Sequence, residues 1–150
     1  MNTFGRLLNL SSGSEEFQDV LNLDQHDFPK PWSMQDWGSL NWSHHQLFGI
    51  KKETELVGFA LFAQIPGDDS AHLLKICLKS SLRGSPDTLV FWKALIEELK
   101  LKGVRSIYLE VASRNARAIG FYRKSGFQLL RIIKTYYSNG DDAHTMQLIL

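Results

Sequence analysis

Residues 107–127 read IYLEVASRNARAIGFYRKSGF, and this stretch decides the fold. Its opening segment, Ile107–Val111, is apolar on both faces apart from Glu110, which predicts an interior strand of a sheet. A helix is predicted over Asn115–Ser125, and Gly126-Phe127 supplies the turn that ends it. A strand followed so closely by a helix is typical of α/β proteins, in which helices pack on the faces of a sheet.

The remaining residues predict further strands and helices around this unit. Strands are expected over Gln46–Lys51, Glu55–Ile65, His72–Leu78, Gln128–Lys134 and His144–Leu150, with helices after Ser14, over Ser33–Trp37 and from Pro86 to Gly103. In the long helix, Ser85 suits the N-cap, Pro86 the first helical position and Gly103 the stop. This order predicts one α/β domain over residues 1–150, with a mixed central sheet and helices on both faces.

The composition excludes several classes of protein. The chain has 150 residues, of which 43% are apolar and 22% charged, and its net charge of +1 gives no bulk reason to expect a nucleic-acid surface. No segment approaches the ~20 apolar residues of a membrane span, and Met1–Gly13 lacks the apolar core of a signal peptide. We therefore expect a soluble cytoplasmic protein that binds neither membranes nor nucleic acids.

The cysteine and histidine residues do not predict a metal or nucleophilic site. Cys77 is the single cysteine, which excludes an internal disulfide and a cysteine-based metal cluster. It sits in the apolar run His72–Leu78, where a buried and inert thiol is expected. His44 and His45 are adjacent, so their side chains point apart on a helix or strand and make a poor metal pair. We expect no bound metal.

Glu110 and Tyr122 are the side chains of residues 107–127 that suit acid–base chemistry. A carboxylate in an interior strand is partly desolvated and takes up a proton more readily, which suits a general base near neutral pH. The alternative for Glu110 is a solvated face at the end of the strand. Tyr122 follows Ala118 by one helical turn, and the small alanine lets the helix approach a sheet or a ligand closely. The alternative for Tyr122 is a core tyrosine with its hydroxyl at the surface.

Three pieces of the chain together resemble one enzyme family. The C-terminal signature of GNAT acyltransferases is similar to Leu109-Glu110-Val111, Asn115, Ala118, Tyr122 and Gly126-Phe127. The segment Phe28–Ser33 resembles the Phe-Pro-Trp-Ser loop of the ribosomal-protein-alanine N-acetyltransferases within that superfamily. The pair Tyr136-Tyr137 and the last strand resemble the tyrosine pair and last strand of the same enzymes. The resemblance runs from about Asp27 to Leu150.

The resemblance implies the GNAT fold, with the sheet splayed between its fourth and fifth strands, and acetyl-CoA as the donor. It implies that Glu110 is the general base toward the acceptor's ammonium and Tyr122 the general acid for the departing CoA thiolate. Further implied positions are cofactor contacts at Asn115 and along the backbone of Ile76, Cys77 and Leu78, and an acceptor slot at Trp32, Tyr136 and Tyr137. The implied reaction is direct acetylation of a protein N-terminus, such as that of a small-subunit ribosomal protein, by a monomer or weak dimer.

The loop before the long helix departs from the family pattern. GNAT enzymes usually carry Arg-x-x-Gly-x-Gly/Ala there, and the backbone N–H groups cradle the CoA pyrophosphate. The aligned residues are Arg83, Gly84, Ser85, Pro86, Asp87 and Thr88. Pro86 has no N–H to donate, Thr88 adds a side chain at a place of close approach, and Asp87 adds a negative charge. Arg83, Gly84 and the helix N-terminus remain, together with the hydroxyls of Ser85 and Thr88 as phosphate donors. We therefore expect acetyl-CoA binding that is weaker or altered in pose.

Three functions stay open at this point. The leading one is acetylation of the N-terminal α-amine of a protein, on the strength of Glu110, Tyr122 and Asn115. The second is a GNAT-fold module that binds a protein partner without catalysis, which the altered Arg83–Thr88 loop motivates. The third is acetylation of a small-molecule amine. Such acceptors are cationic and usually need an acidic pocket, whereas the tryptophan-containing loop and the tyrosine pair fit a peptide slot better.

Overall fold

A computed structural model describes residues 4–28, 30–64 and 66–150. The strands are β1 (Phe4–Leu10), β2 (His45–Lys52), β3 (Glu55–Ala63), β4 (Ser70–Leu78), β5 (Ser106–Ala112), β6 (Gln128–Ile133) and β7 (Ala143–Ile149). The helices are α1 (Phe17–Asp27), α2 (Met34–Gly38), α3 (Pro86–Leu101) and α4 (Ala116–Lys124), with a 3₁₀ turn over Ser80–Leu82. These elements form the mixed α/β architecture that the sequence predicts.

The strands form one sheet in the order β1-β2-β3-β4-β5-β7-β6. β4 and β5 are parallel, and every other neighbouring pair is antiparallel. The parallel pairing joins only Ser70–His72 to Ser106–Tyr108, although β4 continues to Leu78 and β5 to Ala112. Beyond His72 the two strands diverge, and the predicted splay between the fourth and fifth strands is confirmed.

The helices cover the sheet on both faces and create two apolar cores. α3 and α4 pack on one face, over a core that includes Phe62, Phe91, Leu95, Ile107 and Leu109. α1 and α2 pack on the other face, over a core that includes Val20, Trp37, Leu47, Phe59 and Cys77. Apolar residues alternate along β5, so Ile107, Leu109 and Val111 enter the first core and leave Glu110 on the opposite face.

Most predicted elements are present, with ends that differ by no more than two residues. Ser33 caps α2 as expected, because its hydroxyl accepts from Asp36 N at 3.1 Å and the Asp36 carboxylate accepts from Ser33 N at 3.0 Å. The prediction missed β1, which pairs with β2. Ile65, the predicted end of β3, lies outside the described residues.

The predicted N-cap position of Ser85 is confirmed, but its hydroxyl does not make the usual capping bond. Ser85 does occupy the N-cap position of α3, and Pro86 occupies the first helical position. However, the Ser85 hydroxyl donates to the Leu82 carbonyl at 2.6 Å and accepts no N–H from the helix. The preceding 3₁₀ turn presents that carbonyl directly to the hydroxyl, and the competing bond prevails.

Candidate active site

Glu110 lies just past the point where β4 and β5 separate. The last paired residues are His72 on β4 and Tyr108 on β5, and Glu110 follows Tyr108 on the same face. Its carboxylate is partly buried, with 21% of the side chain exposed, which agrees with the desolvated environment expected for it. The structure therefore puts the predicted base at the mouth of the splay.

His72 contacts Glu110 directly, and no sequence motif predicted this contact. His72 Nε2 lies 2.5 Å from Glu110 Oε2, and the imidazole stacks on the Tyr108 ring with centroids 4.3 Å apart. The contact depends on the register between two strands that are distant in the chain, so local sequence patterns do not reveal it. To predict the contact, the parallel pairing of His72–Leu78 with Ile107–Val111 would have had to be predicted first.

Tyr122 is buried in the core between α4 and the sheet. Its ring packs edge-on against Phe121 and Phe127, with centroids 5.6 Å and 5.4 Å away. Burial raises the pKa of Tyr122 to about 12, with a smaller contribution from the charge of Tyr137. The phenol therefore carries its proton at neutral pH, which a general acid must do.

Asn115, predicted to contact the cofactor, is the N-cap of α4. Its side-chain oxygen accepts a hydrogen bond from Ala118 N at 3.2 Å. The side chain thus sets the start of the helix that carries Tyr122. A contact of Asn115 with a cofactor stays a prediction.

The two segments predicted to form the acceptor slot approach each other. Lys30 Nζ lies 5.1 Å from the centroid of the Tyr137 ring, which joins the segment around Trp32 to the tyrosine pair. Tyr136 and Tyr137 pack edge to face, with centroids 5.0 Å apart. Burial raises the pKa of Tyr137, and the charges of Tyr136 and Glu110 raise it further, so Glu110 lies within electrostatic range of this pair. Pro29, also part of the loop, lies outside the described residues.

A buried ion pair holds the Trp32 segment against β4, and the sequence did not predict it. Lys75 Nζ lies 2.5 Å from Asp24 Oδ1, and both side chains are buried. The second carboxylate oxygen of Asp24 accepts from Trp32 N at 2.9 Å and from Trp37 Nε1 at 3.1 Å. Lys75 Nζ also lies 3.9 Å from the centroid of the Phe28 ring. Burial lowers the pKa of Lys75, while the hydrogen bond to Asp24 opposes that shift.

The backbone of Ile76, Cys77 and Leu78 lies on the part of β4 that has left β5. In the described residues no strand pairs with this stretch on its β5 side. The Cys77 thiol is buried as predicted, 4.0 Å from the Leu23 carbonyl oxygen of α1. Burial raises the pKa of Cys77 to about 11, so the side chain is a poor nucleophile.

The loop predicted to bind phosphate uses its side chains within the protein. Arg83 Nε donates to the Leu78 carbonyl at 3.2 Å, and Arg83 Nη2 donates to the Asp27 carbonyl. Thr88 Oγ1 donates to the Leu82 carbonyl at 3.0 Å, the same oxygen that accepts from Ser85. Asp87 pairs with Lys52 at 3.3 Å. Gly84 has a φ of +76°, and glycine adopts this left-handed conformation without the steric cost that a side chain would add. The hydroxyls expected to donate to phosphate are therefore already engaged.

The described part of the chain lacks two further features. No group of three or more His, Cys, Asp or Glu side chains there is arranged to hold a metal ion. None of its helices combines the length and apolar character needed to span a bilayer.

The family model described as "Acetyltransferase (GNAT) family" matches residues 17–127, about three-quarters of the chain. The chain belongs to the GNAT acetyltransferase family. Enzymes of this family use acyl-CoA as the donor. The family explains the splayed sheet, because the opening between β4 and β5 is part of the GNAT fold.

Individual relatives of this GNAT protein carry more specific names. A Bacillus subtilis (strain 168) protein, provisionally named a ribosomal protein bS18-alanine N-acetyltransferase, is 28% identical over 141 residues, 88% of either chain. The ribosomal protein bS18-alanine N-acetyltransferase of Escherichia coli (strain K12) is 27% identical over 120 residues, 80% of either chain. The crystal structure of the E. coli ribosomal-protein-S18-alanine N-acetyltransferase matches with a TM-score of 0.82 at 25% identity, covering 96% of this chain and 94% of that one.

Proposed function

We propose that this GNAT acetyltransferase transfers an acetyl group from acetyl-CoA to the N-terminal α-amine of a protein, with a ribosomal-protein N-terminal alanine as the acceptor type. The observation that carries the proposal is the position of Glu110, at the mouth of the splay and within electrostatic range of the tyrosine pair. The relatives that match 80–88% of this chain are named for the same acceptor. The proposal treats residues 1–150 as one catalytic domain.

The residues along β4 fit the pantetheine arm of acetyl-CoA, whereas the Arg83–Thr88 loop departs from the usual pyrophosphate-binding pattern. The open edge of β4 at Ile76, Cys77 and Leu78 offers backbone groups to an extended pantetheine arm. The Arg83–Thr88 loop offers less to a pyrophosphate, because its hydroxyls and its arginine bind protein carbonyls. Acetyl-CoA would therefore be held mainly along β4, with Asn115 near it. When bound, it supplies the thioester whose carbonyl carbon accepts the amine.

The roles of the side chains follow from their protonation. Glu110 would take a proton from the acceptor's ammonium, directly or through water, and so supply the neutral amine. An α-amino group has an unperturbed pKa of about 7.7–8.0, so modest assistance is enough. The amine nitrogen would form the new C–N bond as the C–S bond breaks, and Tyr122 would donate its proton to the thiolate that leaves. The second proton, which the nitrogen loses as it becomes an amide, would restore the Tyr122 phenol. Since the Cys77 thiol stays protonated and buried, direct transfer is favoured over an acyl-cysteine intermediate.

The Arg83–Thr88 loop also supports a second candidate function. Arg83, Ser85 and Thr88 are all satisfied by protein carbonyls, as in a chain that has no phosphate to bind. This arrangement favours a GNAT-fold module that binds a protein partner without turnover. It ranks second because Tyr122 carries its proton at neutral pH and the Glu110 side chain is partly buried, as the two proposed catalytic roles require.

Steady-state kinetics with acetyl-CoA and a peptide that begins with alanine test the roles. Glu110→Gln and Tyr122→Phe should each lower kcat by ~10²–10⁴-fold, the usual contribution of general acid–base catalysis. Calorimetric titration with desulfo-CoA serves as the control, and its Kd should be unchanged in both variants. Full activity of both variants would reject the assigned roles. A wild-type protein that binds no acetyl-CoA up to millimolar concentration would support the binding module instead.

A further inference from the structure

We propose that His72 is a positioning residue for the acetyl transfer, acting through Glu110. It holds one carboxylate oxygen of Glu110 so that the other faces the acceptor's ammonium. This inference rests on the proposed function, in which Glu110 is the general base.

The geometry joins His72 to two residues of β5 at once. Its Nε2 lies 2.5 Å from Glu110 Oε2, within hydrogen-bonding distance. Its ring stacks on Tyr108 with centroids 4.3 Å apart and planes 15° from parallel. The backbone of His72 pairs with Tyr108, the last pairing before β4 and β5 diverge. The imidazole is therefore fixed by backbone, ring and hydrogen bond together.

This position matters because Glu110 lies on the part of β5 that no longer pairs with β4. Beyond Tyr108 the side chains of β5 border the splay, and a carboxylate there has rotamers that lead away from the acceptor. Through Nε2–H, His72 donates to Oε2 and selects one rotamer. Within the described contacts Oε1 accepts no protein hydrogen bond, so it is free to take the proton. The other titratable groups near the pair are Tyr108, Tyr137 and Asp68.

Two substitutions separate the hydrogen bond from the stacking. His72→Phe keeps an aromatic ring against Tyr108 and removes the donor, whereas His72→Gln keeps an N–H donor at a similar reach. With acetyl-CoA and a peptide that begins with alanine, His72→Phe should lower kcat by roughly 10–100-fold, as expected for a misplaced catalytic group. His72→Gln should recover most of that loss, and Kd for desulfo-CoA should not change. Wild-type kcat in His72→Phe would overturn the proposal.

A double-mutant cycle shows whether His72 acts through Glu110. If it does, Glu110→Gln combined with His72→Phe should be no slower than Glu110→Gln alone, because the group being positioned is already gone. If the two losses multiply, His72 acts independently and the proposal is wrong. Loss of activity in Glu110→Gln with none in His72→Phe would reject the role of His72 and leave the proposed function standing.

A readout without turnover keeps the proposal testable if the peptide is not a substrate. Nitrogen-15 NMR of labelled histidine reports which ring nitrogen carries the proton, and the His72 signal is assigned by its disappearance in His72→Gln. In the wild-type protein the Nε2-bound proton of His72 should resonate far downfield because it is hydrogen-bonded to Glu110, and Glu110→Ala should remove that shift. An unchanged Nε2–H resonance in Glu110→Ala would overturn the pairing itself, whatever the acceptor proves to be.

Discussion

The thiol of Cys77 illustrates how burial alone sets the chemistry of one residue. It lies beneath α1, near the Leu23 carbonyl, and burial raises its pKa to about 11. At pH 8 about one molecule in a thousand would carry the thiolate. We predict that the native protein reacts with an aromatic disulfide reagent far more slowly than an exposed thiol does. In guanidinium chloride, where the thiol is exposed, one equivalent should react at once. Fast labelling of the native protein would contradict the burial and reopen an acyl-cysteine mechanism.

Tyr122 links burial to a pH dependence of stability. Its pKa is about 12 in the folded protein against an ordinary value of 10.0, so folding favours the neutral phenol. This contribution is fully present below pH 10 and is lost as the pH rises toward 12. Between pH 8 and pH 11, urea unfolding should show the wild type losing on the order of 1 kcal/mol more than Tyr122→Phe. Parallel losses in the two proteins would show that the phenol titrates normally.

At the scale of whole elements, Asp24 and Lys75 join α1 to β4 beneath the acceptor segment. The carboxylate of Asp24 is shared between Lys75 Nζ, Trp32 N and Trp37 Nε1, so one buried group ties together two helices, a strand and a loop. A buried ion pair gives little net stability when compared with apolar residues of the same size. Its value here is positional, since it fixes the loop that would bind the acceptor.

Replacing Lys75 alone should lower the free energy of unfolding more than replacing both Lys75 and Asp24. Lys75→Met leaves the Asp24 carboxylate buried without its counter-ion, and we expect a loss of ~3–5 kcal/mol in unfolding free energy. Lys75→Met combined with Asp24→Asn removes both charges and keeps an oxygen for the two tryptophan N–H groups. It should be more stable than Lys75→Met alone by urea unfolding. If the double variant is the less stable of the two, the charge pair itself is the source of stability.

The elements that the sequence predicted well are those whose signals are local. Pro86 at the first turn and Gly103 at φ +85° bracket α3, and both act within a few residues of where they stand. The face of Glu110 also followed from alternation along β5. β1 was missed because Phe4–Leu10 lacks a clear alternation, and its pairing with β2 decides its conformation.

The parts of the site that escaped prediction depend on long-range contacts. His72 meets Glu110 only through the short parallel register, and Lys75 meets Asp24 across the width of a core. The resemblance to GNAT enzymes could carry over positions that match a motif, but neither pair belongs to one. The hydroxyls of Ser85 and Thr88 donate to the Leu82 carbonyl of the preceding 3₁₀ turn, and the sequence pattern did not predict that direction.

For the molecule as a whole, the splay divides the sheet into two parts that share few hydrogen bonds. β1–β4 and β5–β7 are each extensively paired, whereas in the described residues the strand pairing between the two parts is limited to Ser70–His72 with Ser106–Tyr108. Amides along the open edge of β4 have no strand to protect them in the described residues. A ligand in the splay would supply the missing partner and join the two parts.

Hydrogen exchange can locate the binding site of the acyl donor, acetyl-CoA, directly. Saturating desulfo-CoA should slow exchange in the peptide that covers residues 73–78, since an extended pantetheine arm would take up backbone groups of β4. The β2–β3 hairpin, paired on both sides already, serves as the internal control and should not change. Desulfo-CoA would bind the native state and not the unfolded chain. It should therefore also raise the melting temperature, by an amount that grows with its concentration above Kd. Slower exchange at residues 83–88 as well would mean that the loop releases the Leu82 carbonyl to bind the pyrophosphate. Binding that leaves residues 73–78 unprotected would place the donor outside the splay and contradict the mechanism.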